Sequence, residues 1–204
     1  MQNRSSAVMA QRSEPHDSLD DFPTPPWAAR AFCEWLNPSE SATVWEPAAN
    51  RGYMVKALSD YFGTVYASDV HDYGAGFPTH DFLLPGPSLY SPHWVITNPP
   101  FRLAEEFVDR ALEVAKGGVA VIVRSVWAEG QGRYFSLFEH NPPAWILQHV
   151  ERVPMVRGRY DSNASTATSY SWFVWDKCGI WDSGTRFGWL PPAKTRLFKD
   201  SDTL

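Results

Sequence analysis

Apolar residues fall along this chain in short runs that alternate between strand-like and helix-like spacing. Continuous or alternating apolar runs predict strands at 43–46, 64–68, 81–84, 94–97, 119–123, 145–150 and 171–175. Between them, helical spacing predicts helices at 27–36, 53–62, 103–115 and 133–138. Pro25-Pro26 can open the first helix, and Asn37-Pro38 ends it. Regular alternation of strand and helix is the pattern of an α/β fold, a mostly parallel sheet with helices on both faces. The last two predicted strands are separated by a loop without helical periodicity, so they should pair antiparallel. Residues 1–20 are polar and aperiodic and are expected to form a disordered tail. Residues 21–204 are expected to form a single domain without a large separate recognition domain.

Composition narrows the class. At 204 residues, with 44% hydrophobic and 15% aromatic content, the chain can bury one substantial core. It contains no apolar stretch near the roughly 18 residues that span a membrane and begins without a signal-peptide core, so a cytoplasmic protein is expected. Cys33 and Cys178 match no metal or redox spacing, and neither do His71, Asp72, His80 and Asp81, so no metal is expected. The net charge of -5 argues against coating nucleic acid by bulk electrostatics. It leaves room for a local basic groove, which could draw on Arg124, Arg133, Arg152, Arg157 and Arg159.

The sharpest chemical signal is Asn98-Pro99-Pro100-Phe101, directly after the apolar run Trp94-Val95-Ile96-Thr97. In an open α/β sheet, ligands bind at the carboxyl ends of strands. Two prolines have fixed φ and no N–H, so Asn98 and the neighbouring carbonyls make a stiff pocket rich in acceptors. Such acceptors suit a planar amine: holding its hydrogens favours a pyramidal nitrogen whose lone pair can attack, and Phe101 could stack on its ring. The tripeptide alone is weak, since Asn141-Pro142-Pro143 repeats it between Glu139-His140 and the apolar run from Ala144 to Leu147, as a loop would.

Two further features lie upstream. Val44-Trp45-Glu46-Pro47-Ala48-Ala49-Asn50-Arg51-Gly52-Tyr53 runs from a strand through a turn of small residues into a helix. It is neither a P-loop nor a dinucleotide fingerprint, having one glycine where the latter needs three. The next strand ends in Asp69-Val70, where an acid can accept ribose hydroxyls, and Asp81-Phe82 follows at a third predicted strand end.

With these residues in place, the chain resembles S-adenosylmethionine-dependent DNA adenine-N6 methyltransferases of the small bacterial and phage type, from about Phe22 to Trp175. The resemblance implies a Rossmann-like methyltransferase fold with a seven-stranded sheet and S-adenosyl-L-methionine as cofactor. It also implies nucleic acid, DNA above all, as partner. Thr24 and Pro25, in Phe22-Pro23-Thr24-Pro25-Pro26, resemble the motif at the methionine end of the cofactor. Glu46, Pro47, Ala48, Asn50 and Gly52 resemble the first cofactor motif, Asp69 with Val70 the ribose site, Asp81 and Phe82 the adenine site, and Asn98 to Phe101 the catalytic tetrapeptide. Asn50 departs from the family's usual glycine, and asparagine is the side chain best able to replace glycine at positive φ. Serine usually replaces Asn98 in cytosine-N4 enzymes, so adenine is favoured. Trp127, Arg133, Arg157, Arg159 and Tyr160 are candidates for holding the strand around an extruded base, with the 153–170 loop as a cover.

Two alternatives stay open. The same acceptors could hold an adenine in RNA or a glutamine amide in a protein. In a different class, a regulatory protein could keep the cofactor or nucleic acid site without catalysing.

Overall fold

The computed structural model describes residues 20–181 and 184–203. Its strands are β1 (Thr43–Glu46), β2 (Thr64–Ala67), β3 (Trp94–Thr97), β4 (Gly118–Arg124), β5 (Trp145–His149), β6 (Tyr170–Asp176) and β7 (Arg186–Leu190). They form one sheet in the order β2-β1-β3-β4-β6-β5-β7. The first four run parallel, β6 inserts antiparallel between β4 and β5, and β7 pairs parallel with β5. The helices are α1 (Pro26–Leu36), α2 (Tyr53–Leu58), α3 (Ala104–Val114), the single turn α4 (Gln131–Arg133) and α5 (Lys194–Leu197). A π-helical turn over Tyr134–Phe138 continues α4.

Both faces of the sheet are covered, as the alternation predicted. On one face Phe32 of α1 stacks on Trp172 of β6 at 4.3 Å, within a core that includes Met54 and Ala57 of α2. On the other, Phe107 and Val108 of α3 pack with Trp127, Val121 and Phe173. Pro26 begins α1, and Asn37 ends it in the left-handed conformation, donating its N–H to the Cys33 carbonyl. Gly118 is required where β4 passes β3, because a Cβ there would lie 2.4 Å from the Trp94 ring.

Two elements differ from expectation. Residues 81–84 form a turn and no strand, because the Asp81 carboxylate accepts the Leu83 N–H at 2.9 Å, a local bond that competes with a sheet ladder. The seventh strand is instead β7, in a stretch whose Gly188 and following prolines masked it. That glycine lets β7 approach β5, since a Cβ would lie 3.2 Å from Leu147 and 3.3 Å from Trp145. The tail expected over 1–20 lies outside the described residues, except for Asp20. Among the described residues, no helix is long and apolar enough to cross a membrane.

The topology fixes where a ligand can go. From β1 the chain crosses through α2 to β2 on one side, while β3 lies on the other. The crevice beyond the carboxyl ends of β1 and β3 is therefore the switch point of the sheet.

The C-terminal segment is held to this body by Arg30, which is 3% exposed in α1. Its guanidinium donates to both carboxylate oxygens of Asp202 at 2.7 and 2.8 Å, to Asp60 at 2.6 Å and to the Leu197 carbonyl at 2.9 Å. Arg30→Ala should leave the buried Asp202 without its counter-charge and cost about 3–5 kcal/mol. Urea unfolding measures this, and an unchanged midpoint would contradict the role given to Arg30.

Candidate active site

Glu46, the last residue of β1, is fully buried, and its Oε1 accepts the Ala48 N–H at 3.0 Å and the Thr97 hydroxyl at the end of β3. One carboxylate oxygen thus shapes the loop after β1 and ties it to the strand that carries Asn98. The loop turns at Asn50, with φ 49°, and enters α2 through Gly52, with φ 85°. Both lie in the left-handed region, so asparagine does fill the glycine-like conformation. Asp69, past the end of β2, accepts the Asn50 N–H at 2.8 Å through one oxygen and the His71 N–H at 2.9 Å through the other. Burial raises the pKa of Asp69, while these N–H bonds oppose the shift.

The catalytic candidate is held from above. Asn98 donates from Nδ2 to the Phe22 carbonyl at 2.8 Å, with the Met155 sulfur 3.7 Å away. That orientation leaves Oδ1 as a buried acceptor with no hydrogen-bond partner among the described residues, and the Thr24 hydroxyl is in the same condition. Buried polar atoms are usually paired, and of those left without a partner these two line the same cavity, where groups from outside the chain could meet them.

These residues surround a cavity of about 200 Å³. Of the cofactor candidates, Thr24, Glu46, Pro47, Ala48, Asn50, Asp69, Val70, Asp81 and Phe82 line it, together with Asn98 and Pro100. Pro25 and Gly52 stand behind it, as the N-cap of α1 and the entry to α2. Among the lining residues are the acids Asp20, Glu46, Asp69 and Asp81 and no lysine, arginine or histidine. Even with Glu46 keeping its proton near neutrality, the other three acids give a balance that suits a cationic ligand and disfavours a phosphate-rich one. The carboxylates, the unpaired Thr24 hydroxyl and the close turn after β1 fit S-adenosylmethionine, whose sulfonium and ammonium are positive.

Pro99 and Phe101 do not line the cavity. Phe101 packs 5.8 Å from Phe22 and 6.5 Å from Tyr170, with the Arg124 guanidinium 5.3 Å from its centre. It borders a second crevice with Arg124, Val126, Trp127 and Arg133.

The five strand-holding candidates do not gather in one place. Trp127 is a core residue, 7% exposed and packed edge-on against Phe173 and Phe138, so its ring is not a free surface for a flanking base. Arg133 is committed to Glu105 at 2.9 Å and to the carbonyls of Trp127 and Glu129. Tyr160 turns inward, its ring 5.5 Å from that of Tyr53 in α2. Arg157 and Arg159 are exposed, and Arg159 lies 3.4 Å from Asp161. Trp127 and Arg133 therefore belong to the α3 face and Tyr160 to the α2 face. Sequence reasoning also missed Asp20, Tyr73 and Leu103 on the cavity wall, and Met155 beside Asn98.

No protein-family model and no curated protein matches the sequence. Solved structures do match. A modification subunit assigned to a type I restriction enzyme of Vibrio vulnificus is 14% identical over 93% of this chain, with a TM-score of 0.59. A protein of Pyrococcus horikoshii assigned as an RNA methyltransferase is 18% identical over 84% of this chain, with a TM-score of 0.58. One of Listeria monocytogenes assigned as a class I S-adenosylmethionine-dependent methyltransferase is 14% identical over 85%, with a TM-score of 0.55. This chain spans 51% of the Vibrio subunit, 65% of the Listeria protein and 95% of the Pyrococcus one. The chain has the Rossmann-like fold of S-adenosylmethionine-dependent methyltransferases.

Burial pushes the Glu46 carboxyl from 4.5 up to about 8, against the opposing pull of its Thr97 and Ala48 bonds. The folded state therefore keeps a proton that the unfolded chain releases. Buried His149, lowered to about 4, acts in the opposite sense up to about 6.5, so stability should fall chiefly as pH rises from about 6.5 to about 8. Glu46→Gln should remove most of that fall and leave the opposite contribution of His149 below about 6.5 in place. Urea midpoints taken across this pH range for both proteins check it, and equal slopes would contradict it.

Proposed function

We propose that this protein is an S-adenosylmethionine-dependent methyltransferase acting on adenine N6 in DNA. The observation that carries this reading is Asn98: its amide nitrogen is occupied by the Phe22 carbonyl, and its oxygen is left as an unpartnered buried acceptor beside an acid-lined cavity. The fold supports the cofactor class, and the likeness to a restriction-system modification subunit supports DNA.

The residues divide the work by position. Asp69 would accept ribose hydroxyls through the lone pairs its two backbone bonds leave open, and Phe82 would give the adenine ring an apolar wall. Glu46 and the Thr24 hydroxyl would hold the methionine end. The cofactor supplies a methyl group activated on a sulfonium. Asn98 Oδ1 and the Pro99 carbonyl would accept the hydrogens of the target amine, which frees its lone pair and stabilises the positive charge that develops on nitrogen. The prolines keep these acceptors rigid, so little reorganisation is needed in the transition state. Asn98 in place of serine favours adenine over cytosine.

A second reading keeps the chemistry and changes the substrate to an adenine in RNA. The observation that favours it is the Pyrococcus RNA methyltransferase, 95% of whose length this chain spans. Transfer of labelled methyl from S-adenosylmethionine to duplex DNA, single-stranded DNA, RNA and extract protein in parallel, followed by nucleoside analysis, separates these readings. Label in N6-methyladenine from DNA is the expected result. Label only in RNA or protein would overturn the substrate, and cofactor binding without any transfer would overturn catalysis.

Two substitutions test the assignment within the site. Asn98→Ala should lower turnover about 100-fold or more while cofactor affinity measured by calorimetry stays near wild type. Asp69→Ala should instead weaken cofactor binding about tenfold or more, through its direct contacts and its hold on the Asn50 N–H. Wild-type turnover in Asn98→Ala would remove the catalytic role.

A further inference from the structure

Asp20, Asp21 and Phe22 lie at the start of the described chain, yet their bonds reach the loops after β1, after β3 and before β6. The Asp21 carboxylate accepts Asn50 Nδ2 at 2.7 Å and Arg51 Nη1 at 2.8 and 2.9 Å, both in the loop after β1. The Asp21 carbonyl accepts the Gly158 N–H at 2.8 Å, in the loop before β6. Asp20 accepts the Phe101 N–H through its carboxylate, and Phe22 accepts the Asn98 amide at 2.8 Å through its carbonyl. Arg51 extends the connection to the cavity wall, its guanidinium 5.0 Å from the centre of the Tyr73 ring.

A tether alone would not require this arrangement. Phe22, 6% exposed, already anchors the segment in the core. Asp20 is held at φ 50°, a conformation disfavoured for any side chain other than asparagine, aspartate or glycine. Asn50 is the more telling residue, because glycine would satisfy the same φ. Asparagine adds a donor to Asp21 and an acceptor, Oδ1, for the Arg51 N–H at 2.7 Å and Arg51 Nη1 at 3.1 Å. At this turn, backbone freedom is exchanged for a bond to the segment that orients Asn98.

We propose that Asp21, gripping Asn50 and Arg51, is a positioning residue that holds the cofactor loop in register with the Asn98 corner. The clasp acts through the adjoining Phe22 carbonyl and Asp20 carboxylate. It rests on the methyltransferase reading for its consequence in rate, but its mechanical content stands apart from that reading.

Two measurements test it on the full chain. The first is hydrogen exchange of the ligand-free protein. Asp21→Ala should speed exchange at 48–52 and 98–103 together, whereas Arg196→Ala, which breaks the remote pair with Glu34, should change neither. Faster exchange confined to 20–22 would overturn the clasp whether or not the protein transfers methyl groups. The second is single-turnover transfer at saturating S-adenosylmethionine, on the substrate that wild type methylates. Asp21→Ala should be slowed about tenfold or more, and Asp21→Asn should lie between, since an amide oxygen still accepts from Asn50 but lacks the charge that Arg51 meets. Asp21→Ala/Asn50→Gly should be no slower than Asp21→Ala, because both changes remove one connection. Multiplying losses, or a wild-type rate in Asp21→Ala, would overturn the proposal. Failure of the wild type to bind S-adenosylhomocysteine would count against the methyltransferase reading alone, with the exchange experiment still deciding the clasp.

Discussion

The site depends on one buried contact, the Thr97 hydroxyl against Glu46 Oε1. Glu46 ends β1 and Thr97 ends β3, and each is the last ordered ladder position before a loop with a different task. A carboxyl group in that place is costly to bury, and it is compensated by two donors on one oxygen and by retention of its proton near neutrality. The result is that the loop lined by Pro47 and Ala48 and the corner at Asn98 cannot drift relative to each other through the sheet. Asp69 adds the third strand end by taking the Asn50 N–H, so the loop after β1 is gripped from both neighbouring strands.

The acidity of the cavity follows from this construction. Each parallel strand end that reaches it contributes a carboxylate or an amide, and the helix-facing side contributes apolar groups such as Phe82, Leu103 and Phe107. Apart from Arg51 behind Tyr73, positive charge near the site lies on Arg124 beside Phe101 and on the exposed Arg157 and Arg159 of the loop before β6. Under the proposed reading, a cationic small molecule and a polyanionic partner would thus meet separate parts of the surface, despite the net charge of -5.

Much of this was legible from the sequence, and what escaped has physical reasons. β1 and β3 coincide with their apolar runs, because strands buried on both faces advertise themselves as continuous hydrophobic stretches. Of the nine cofactor candidates that share one cavity, those at and after the ends of β1 and β2 converge there because parallel strand ends meet by topology, while Thr24, Asp81 and Phe82 reach it from outside the strands. β7 was missed because Gly188 and Pro191 punctuate it like a loop, although the glycine serves close packing against Trp145. The turn at 81–84 was missed because an Asx bond depends on a side chain's choice of partner, which periodicity does not register. Trp127 and Arg133 looked like contacts for nucleic acid because aromatic and basic residues serve cores and ion pairs as readily as ligands. Asp20 and Asp21 fell at a boundary drawn by composition, where a polar pair carries no pattern of its own.

The placement of β6 has a consequence for how the chain reaches this state. β4 is flanked by β3 on one side and by β6 on the other, along seven paired positions from Gly118↔Asp176 to Arg124↔Tyr170. β5 has no contact with β4 in the sheet and waits for β6 to join it. During synthesis the parallel half can therefore form with an open, strongly apolar edge on β4, which closes only when residues 170–176 have emerged. Such long-range pairing is slow to form, so the topology places closure of the sheet after its parallel half is complete.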